Sequence, residues 1–253
     1  MKVLEKGIHH LKNYRDIKKF LLIVPDIISE NEEESILEFV KPKLQRKRYE
    51  GDHWDSVITK YKETEMSSSK VPDSVNNVIK RLSDMIKEST GEPLMQILPP
   101  HVLDLAADGY IGPHADSIKF SGGIVAGLSL LSTRMMVLKF DNSGDNIANT
   151  AVSSSAHMSR MPYFNLDYSD AHCKQESLYK YKGFINSNDN ADELIEIELP
   201  RRSFYILSGP LRYSFTHEIL GPKGSLELYS QLPISERRLS VIFRDAHPEA
   251  IND

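Results

Sequence analysis

The sequence predicts a mainly β fold with flanking helices (α+β), a double-stranded β-helix or jelly roll with two N-terminal helices packed on one side. Three observations lead there. After Pro99-Pro100 the chain breaks into many short runs of strand composition, separated by Gly, Pro and Ser clusters; this is the texture of a sandwich or jelly roll, not of an alternating α/β sheet. Before that point two stretches show helical periodicity. Within the β part, Ile195, Glu196, Ile197, Glu198 and Leu199 alternate apolar with acidic, as a strand buried on one face does.

In chain order, Phe20 to Val24 followed by Pro25-Asp26 reads as a short strand and turn. Ser29 with Glu32 three residues on has capping-box spacing, and Ile36, Leu37 and Val40 continue the helix it opens, with Pro42 as its expected end. The second helix spans about Asp73 to Thr90 on the stripe Val75, Val78, Ile79, Leu82, Met85 and Ile86, with Gly91 as the stop. The expected strands are His101 to Tyr110, Gly123 to Ser132, Arg134 to Asp141, Leu194 to Leu199, Ser203 to Leu207, Arg212 to Glu218 and Arg238 to Arg244. Between Asp141 and Asp192 the pattern dissolves into Asn, Ser and Asp. Because structureless loops beyond about 15 residues are rare in compact domains, residues 142–192 are read as a polar surface insertion, and His157 and His172 as loop histidines. Residues 1–19 form a basic tail or an organelle presequence. Residues 20–247 form one domain, helical in 20–100 and jelly roll in 101–247, and 248–253 a short tail.

Composition narrows the function classes. The 253 residues are enough to bury a sizeable core. A net charge of −5 argues against a protein whose affinity comes mainly from wrapping nucleic-acid phosphates. The single cysteine, Cys173, rules out an internal disulfide. No apolar run approaches the roughly 18 residues that a membrane-spanning helix needs.

Chemistry enters with Pro113-His114-Ala115-Asp116. An imidazole and a carboxylate two residues apart on one strand share a face and can reach one metal. A second imidazole would complete the facial triad of iron(II) oxygenases, and His217, about a hundred residues on at the end of a hairpin-like stretch, is positioned to do so. In Arg238-Leu239-Ser240-Val241-Ile242-Phe243-Arg244, even spacing puts both arginines on one face and the large apolar residues on the other. Two guanidiniums on a buried face require anions, and a dicarboxylate provides them.

The order His-x-Asp, distant His, Arg-x5-Arg resembles the AlkB-homologue family of Fe(II)- and 2-oxoglutarate-dependent dioxygenases. The stretches Tyr49-Glu50-Gly51-Asp52-His53-Trp54-Asp55, Glu63-Thr64-Glu65, His101-Val102-Leu103-Asp104-Leu105, Gly109 to Phe120 and Ala126 to Ser132 are similar to a mitochondrial branch of it. The resemblance covers roughly residues 20–140 and 193–247. It implies an oxidoreductase with iron ligands His114, Asp116 and His217, 2-oxoglutarate contacts from Tyr205, Arg238 and Arg244, dioxygen as co-reactant and a location in the mitochondrial matrix. The chain departs from repair-type members in carrying Leu103-Asp104-Leu105 where they have Asn-x-Tyr, so Tyr205 becomes the expected tyrosine contact to the cosubstrate. It also shows no basic, aromatic lid for a flipped base ahead of Pro100. The favoured substrate is therefore a protein or small metabolite. RNA base demethylation is the alternative, with Lys41, Lys43, Arg46, Lys47 and Arg48 as its basic run. A non-catalytic interaction module that retains the metal site is the third reading. His53 and Trp54 stand either at the substrate entrance or in a helix–barrel packing contact.

Overall fold

The computed structural model describes residues 17, 20–52, 57–66, 71–90, 97–117, 121–141, 179–183, 193–221 and 236–246. In chain order these form β1 (Leu21–Val24), α1 (Glu30–Gln45), β2 (Glu50–Asp52), β3 (Ile58–Glu65), α2 (Asp73–Thr90), β4 (His101–His114), β5 (Ile124–Leu130) and β6 (Arg134–Phe140). They continue with β7 (Tyr179–Gly183), β8 (Glu193–Leu199), β9 (Ser203–Ser208), α3 (Gly209–Tyr213), β10 (Phe215–Ile219) and β11 (Arg238–Arg244). The strands join antiparallel in the order β1-β9-β5-β11-β4-β10-β6-β8-β7, with β3 on a further edge of β4 and β2 on β3.

One long strand makes this a jelly roll. The first half of β4 pairs with β11, Ile242 opposite His101 and Arg238 opposite Leu105, whereas its last residues pair with β10, His217 opposite His114. Between the halves the register slips: Tyr61 faces Leu105 and Thr59 faces Tyr110, so two steps on β3 match five on β4. Such surplus residues bend a strand and re-aim the residues beyond them. At this bend a Cβ on Gly109 would lie 2.8 Å from the Lys60 carbonyl oxygen, which leaves room for glycine alone. Arg134 covers the bend, its Nη2 donating to the Ala107 and Glu236 carbonyls at 2.9 and 2.8 Å. The chain thus starts β4 in one sheet and finishes it in the other.

Side-chain alternation divides the core into two layers. Outside the first sheet, Leu128, Leu130, Phe204, Leu239, Val241 and Phe243 pack against Ile36, Val40 and Leu44 of α1 and Val75, Val78, Leu82 and Ile86 of α2. Each such burial contributes about 1.5–3 kcal/mol, which is why both helices lie on this face. Between the sheets, Leu103, Leu105, Ile195, Ile197, Tyr205, Leu207 and Phe215 form the inner cluster. Ser29 caps α1 through the expected box: the Glu32 amide donates to Ser29 Oγ and the Ser29 amide to Glu32 Oε2.

Four sequence expectations change. Pro42 lies inside α1 and does not end it; the carbonyl it leaves without a helical donor belongs to Glu38, an exposed residue that water can reach. Strands β2 and β3 belong to the segment expected to be helical, and join the same sheet as the barrel strands. Arg212 and Tyr213, expected as the start of a strand, belong to the helix α3 (Gly209–Tyr213), because Pro210 at its first turn favours helical entry and offers no amide to a ladder. Inside the expected insertion, Tyr179–Gly183 pairs with β8 as a further strand. Apart from Ile17, which is buried in the inner cluster, the N-terminal tail lies outside the described residues, as do His53, Trp54, His157, His172, Cys173 and the C-terminal tail. Among the described residues no helix is long and apolar enough to cross a membrane.

Candidate functional site

The bend in β4 brings His114, at its end, opposite His217 of β10. The two rings lie 4.2 Å apart between centroids. Asp116 follows two residues later, its Oδ2 3.7 Å from His217 Nε2. One potential ligand atom from each of the three residues falls within 4.8 Å of the others. All three sequence candidates for the metal therefore meet at one point.

The electrostatics favour a metal there. Burial pushes the Asp116 carboxyl up, but Arg244, His217, Arg212 and His114 outweigh it and hold it well below the usual carboxylate range. Burial is also the main cause that takes His217 down to about 3, with His114, Arg212 and Arg244 adding to it against Asp116, so the imidazole stays neutral with a lone pair to give. His114 Nδ1 is 3.0 Å from the Gly112 carbonyl, a contact that makes Nδ1 the protonated nitrogen and turns Nε2 into the ligand atom. Asp116 Oδ1 accepts from Arg244 Nη2 at 3.0 Å. Its Oδ2 is buried and has no hydrogen-bond partner among the described residues. A buried carboxylate oxygen without a donor among the described residues, beside two imidazoles, fits a divalent cation of the kind bound by two histidines and a carboxylate.

The cosubstrate candidates lie on the inner face of the first sheet. Leu239, Val241 and Phe243 are in the outer layer, so Arg238, Ser240, Ile242 and Arg244 face inward as their spacing required. Arg238 is 1% exposed. Its Nε donates to Ser129 Oγ at 3.2 Å, while Nη2 is buried without a partner among the described residues. Burial draws this guanidinium down to about 10, against Tyr205, which favours its charge. No acidic side chain pairs with it among the described residues. Tyr205 is 5% exposed in the inner cluster, and burial pushes its phenol up. The Tyr205 ring lies across Gly127, its register partner on β5, where an added Cβ would stand 2.5 Å from the ring. Leu103 and Leu105 also face inward, so these two positions present hydrocarbon to the interior. Asp104 points outward to Arg237, at 2.5 and 2.9 Å, and to Tyr49.

Three contributors escape a reading of the sequence alone. Ser129 accepts the one side-chain hydrogen bond that Arg238 donates among the described residues. Gly127 makes room for the tyrosine, and a lone glycine inside an apolar strand is its signal. Arg212 donates to the main chain of Asp116 at 2.9 Å; a stretch of strand composition hides it. The basic run lies at the C-terminal part of α1 and just beyond, in the helix layer behind the first sheet, with Lys43 Nζ donating to the Glu65 carbonyl at 3.0 Å.

No protein-family model matches the chain. It is 32% identical over 224 residues to a Mus musculus protein described as alpha-ketoglutarate-dependent dioxygenase alkB homolog 7, mitochondrial, a match covering 88% of this chain and 77% of the relative. The Bos taurus protein of the same description is 33% identical over 223 residues, with the same coverage. Among solved structures, a prolyl hydroxylase in complex with a hypoxia inducible factor oxygen degradation domain peptide fragment from Trichoplax adhaerens superposes with a TM-score of 0.51. That match covers 100% of this chain and 93% of the other at 8% identity, a likeness of fold alone.

Proposed function

The chain belongs to the AlkB-homologue family of alpha-ketoglutarate-dependent dioxygenases, and from that premise we propose that it oxidises a protein or small-metabolite substrate in mitochondria. His114, Asp116 and His217 hold the iron in this reading, and Tyr205, Arg238 and Arg244 serve the cosubstrate. The observation that carries it is Arg238, a fully buried guanidinium with a free donor edge and, among the described residues, no acid to meet it. A buried cation of this kind is costly unless an anion arrives, and a carboxylate of 2-oxoglutarate is the anion this family uses.

Iron(II), when bound with 2-oxoglutarate, supplies dioxygen activation coupled to decarboxylation of the cosubstrate to succinate. The chain's own residues set the stage for it. Arg238 takes the carboxylate remote from the metal, and the guanidinium fork matches that group. Tyr205, laid over Gly127, walls the same space. Arg244 holds Asp116 by Oδ1 and so leaves Oδ2 for the metal. Leu103, Leu105 and Leu207 line the interior with hydrocarbon and exclude water that would compete for the arginine.

The position of the basic run supports a substrate other than RNA. Phosphates gripped by Lys41, Arg46, Lys47 and Arg48 would lie along the helix layer, with the first sheet between them and Asp116. RNA base demethylation is the second reading, because those side chains are exposed. The test is turnover of labelled 2-oxoglutarate by the iron-loaded chain. Succinate should form slowly alone and faster with a mitochondrial protein or metabolite fraction. Acceleration by RNA alone would select the second reading, and no succinate under any condition would leave a binding module.

A further inference from the structure

Arg212 is as buried as Arg238, each 1% exposed, yet its partners differ in kind. Its Nη1 donates to the main-chain carbonyl of Asp116 at 2.9 Å, and its Nη2 to that of Ser121 at 3.3 Å. The next residue, Tyr213, donates its hydroxyl to the Gly122 carbonyl at 3.3 Å. One side of a five-residue helix thus holds the backbone both at Asp116 and at residues 121–122. The same helix leads through Ser214 directly into β10, which carries His217.

The helix is itself anchored. Gly209, its first residue, has φ +50, and an added Cβ would lie 2.5 Å from the Phe20 ring. The Ser208 amide before it donates to the Phe20 carbonyl at 3.0 Å. A guanidinium taken this far from water loses solvation that main-chain carbonyls restore only in part. Satisfying a surface turn would not require it, since water serves exposed carbonyls equally well.

The structure assigns Arg212 as the positioning residue for the Asp116 side of the metal site, and this assignment rests on the metal-site reading. Arg212 fixes the main chain of Asp116 from α3 while Arg244 fixes Oδ1 from β11. With backbone and one oxygen both held, Oδ2 is left 3.7 Å from His217 Nε2 and has little freedom to turn away. Because α3 runs on into β10, the same element ties the Asp116 ligand to the His217 ligand. Residues that orient a metal ligand without touching the metal typically change its affinity about 10–100-fold when removed.

The experiment is an anaerobic Fe(II) titration of the full chain. It is read by metal affinity and by the charge-transfer absorption of the iron–2-oxoglutarate complex, with folding followed by circular dichroism. Arg212→Met should fold, bind Fe(II) about 10–100-fold more weakly and shift the absorption band. Arg212→Lys, which keeps the charge but offers no fork, should fall between the two. Arg134→Met is the control: it also strips a buried arginine from main-chain carbonyls, and should lower thermal stability without changing Fe(II) affinity. Parent-like affinity and an unshifted band in Arg212→Met overturn the assignment. So does an equal loss of affinity in Arg134→Met, which would make both arginines merely structural. If Arg212→Met does not fold, Arg212→Lys decides by the same criterion. Failure of the parent chain to bind Fe(II) would instead strike the metal-site reading itself.

Discussion

Arg244 closes on Asp116 across 128 residues of sequence, Nη2 to Oδ1 at 3.0 Å, and thereby divides the two oxygens of that carboxylate between a cation of the protein and the space beside the imidazoles. The pair explains why two arginines on one strand serve different ends. Arg244→Met should weaken Fe(II) binding by about 10–100-fold while costing less in 2-oxoglutarate affinity at saturating metal. Steady-state succinate formation across an Fe(II) titration reads both quantities. A variant with the parent's iron requirement would show that Asp116 needs no such partner.

Gly127 should matter out of proportion to its size. A Cβ there would meet Tyr205 Cε1 at 2.5 Å and the hydroxyl at 2.7 Å, so Gly127→Ala must push the ring into the cosubstrate space or tear the β5–β9 pairing. Overpacking of this kind costs about 1–3 kcal/mol, on the order of a tenfold to hundredfold loss in 2-oxoglutarate affinity. Isothermal titration of the iron-loaded variant checks it. Combining Gly127→Ala with Tyr205→Ala should restore part of the loss, because the second change removes the clash.

Much of this arrangement is legible in the chain because it depends on period two. The inward turn of Arg238 and Arg244 and the outward turn of Leu239, Val241 and Phe243 come from strand alternation, and the capping box at Ser29 comes from local spacing. The hidden part depends on contacts remote in sequence. Nothing near Arg212 shows that its guanidinium reaches Asp116, and nothing near Gly127 shows whose ring it admits. Strand β3 escapes detection because Lys60, Lys62, Glu63 and Glu65 break its apolar pattern; its pairing with β4 overrides that weak propensity. Short β7 escapes for a similar reason, since Tyr179 to Gly183 alternates aromatic with lysine inside a long polar stretch.

The Ser29 cap gives stability a defined acid limit. Glu32 is held at about 2, by its hydrogen bond to Arg81 first and by the Ser29 amide and hydroxyl, against burial. A carboxylate depressed in the folded state stabilises fully above its unfolded value near 4.5, and that stability is lost as pH falls toward 2. Glu32→Gln should cost about 1 kcal/mol at neutral pH, the usual worth of a cap, and almost nothing once the pH has fallen to the folded value. Urea unfolding at both pH values tests this; an equal penalty at both would mean the carboxylate charge contributes nothing.

β7 shields the edge of β8, residue for residue from Tyr179 opposite Ile197 to Gly183 opposite Glu193. Replacing Lys180 and Tyr181 by proline removes two neighbouring amides that point to opposite edges of β7, so one of them is lost from the β8 side. The exposed edge of β8 then becomes a template for another chain. Light scattering should show concentration-dependent self-association, with Fe(II) affinity intact because none of the three proposed ligands lies on either strand. A variant that self-associates no more than the parent would show that the acidic residues of β8 protect its edge unaided.

The Arg238 guanidinium should set cosubstrate affinity and apo-protein stability in opposite directions. Without 2-oxoglutarate it is a desolvated cation whose Nη2 has no acceptor among the described residues, so burial there costs more than its bond to Ser129 returns. Arg238→Met keeps the volume and removes the charge; replacing buried charge by a well-packed apolar side chain is neutral to stabilising by about 1–4 kcal/mol. The cosubstrate-free variant should therefore melt at or above the parent's temperature. With cosubstrate the order reverses. Loss of one partner from a buried charged pair costs about 3–5 kcal/mol, roughly two to three and a half orders of magnitude in affinity. At a 2-oxoglutarate concentration about 100-fold above its dissociation constant the parent gains about 2.7 kcal/mol of stability, and the variant should gain almost nothing. Thermal unfolding of both proteins with and without 2-oxoglutarate makes the comparison in a single experiment. A variant that melts well below the parent when both are free of cosubstrate would mean that Arg238 is a structural residue and that the dicarboxylate is held elsewhere.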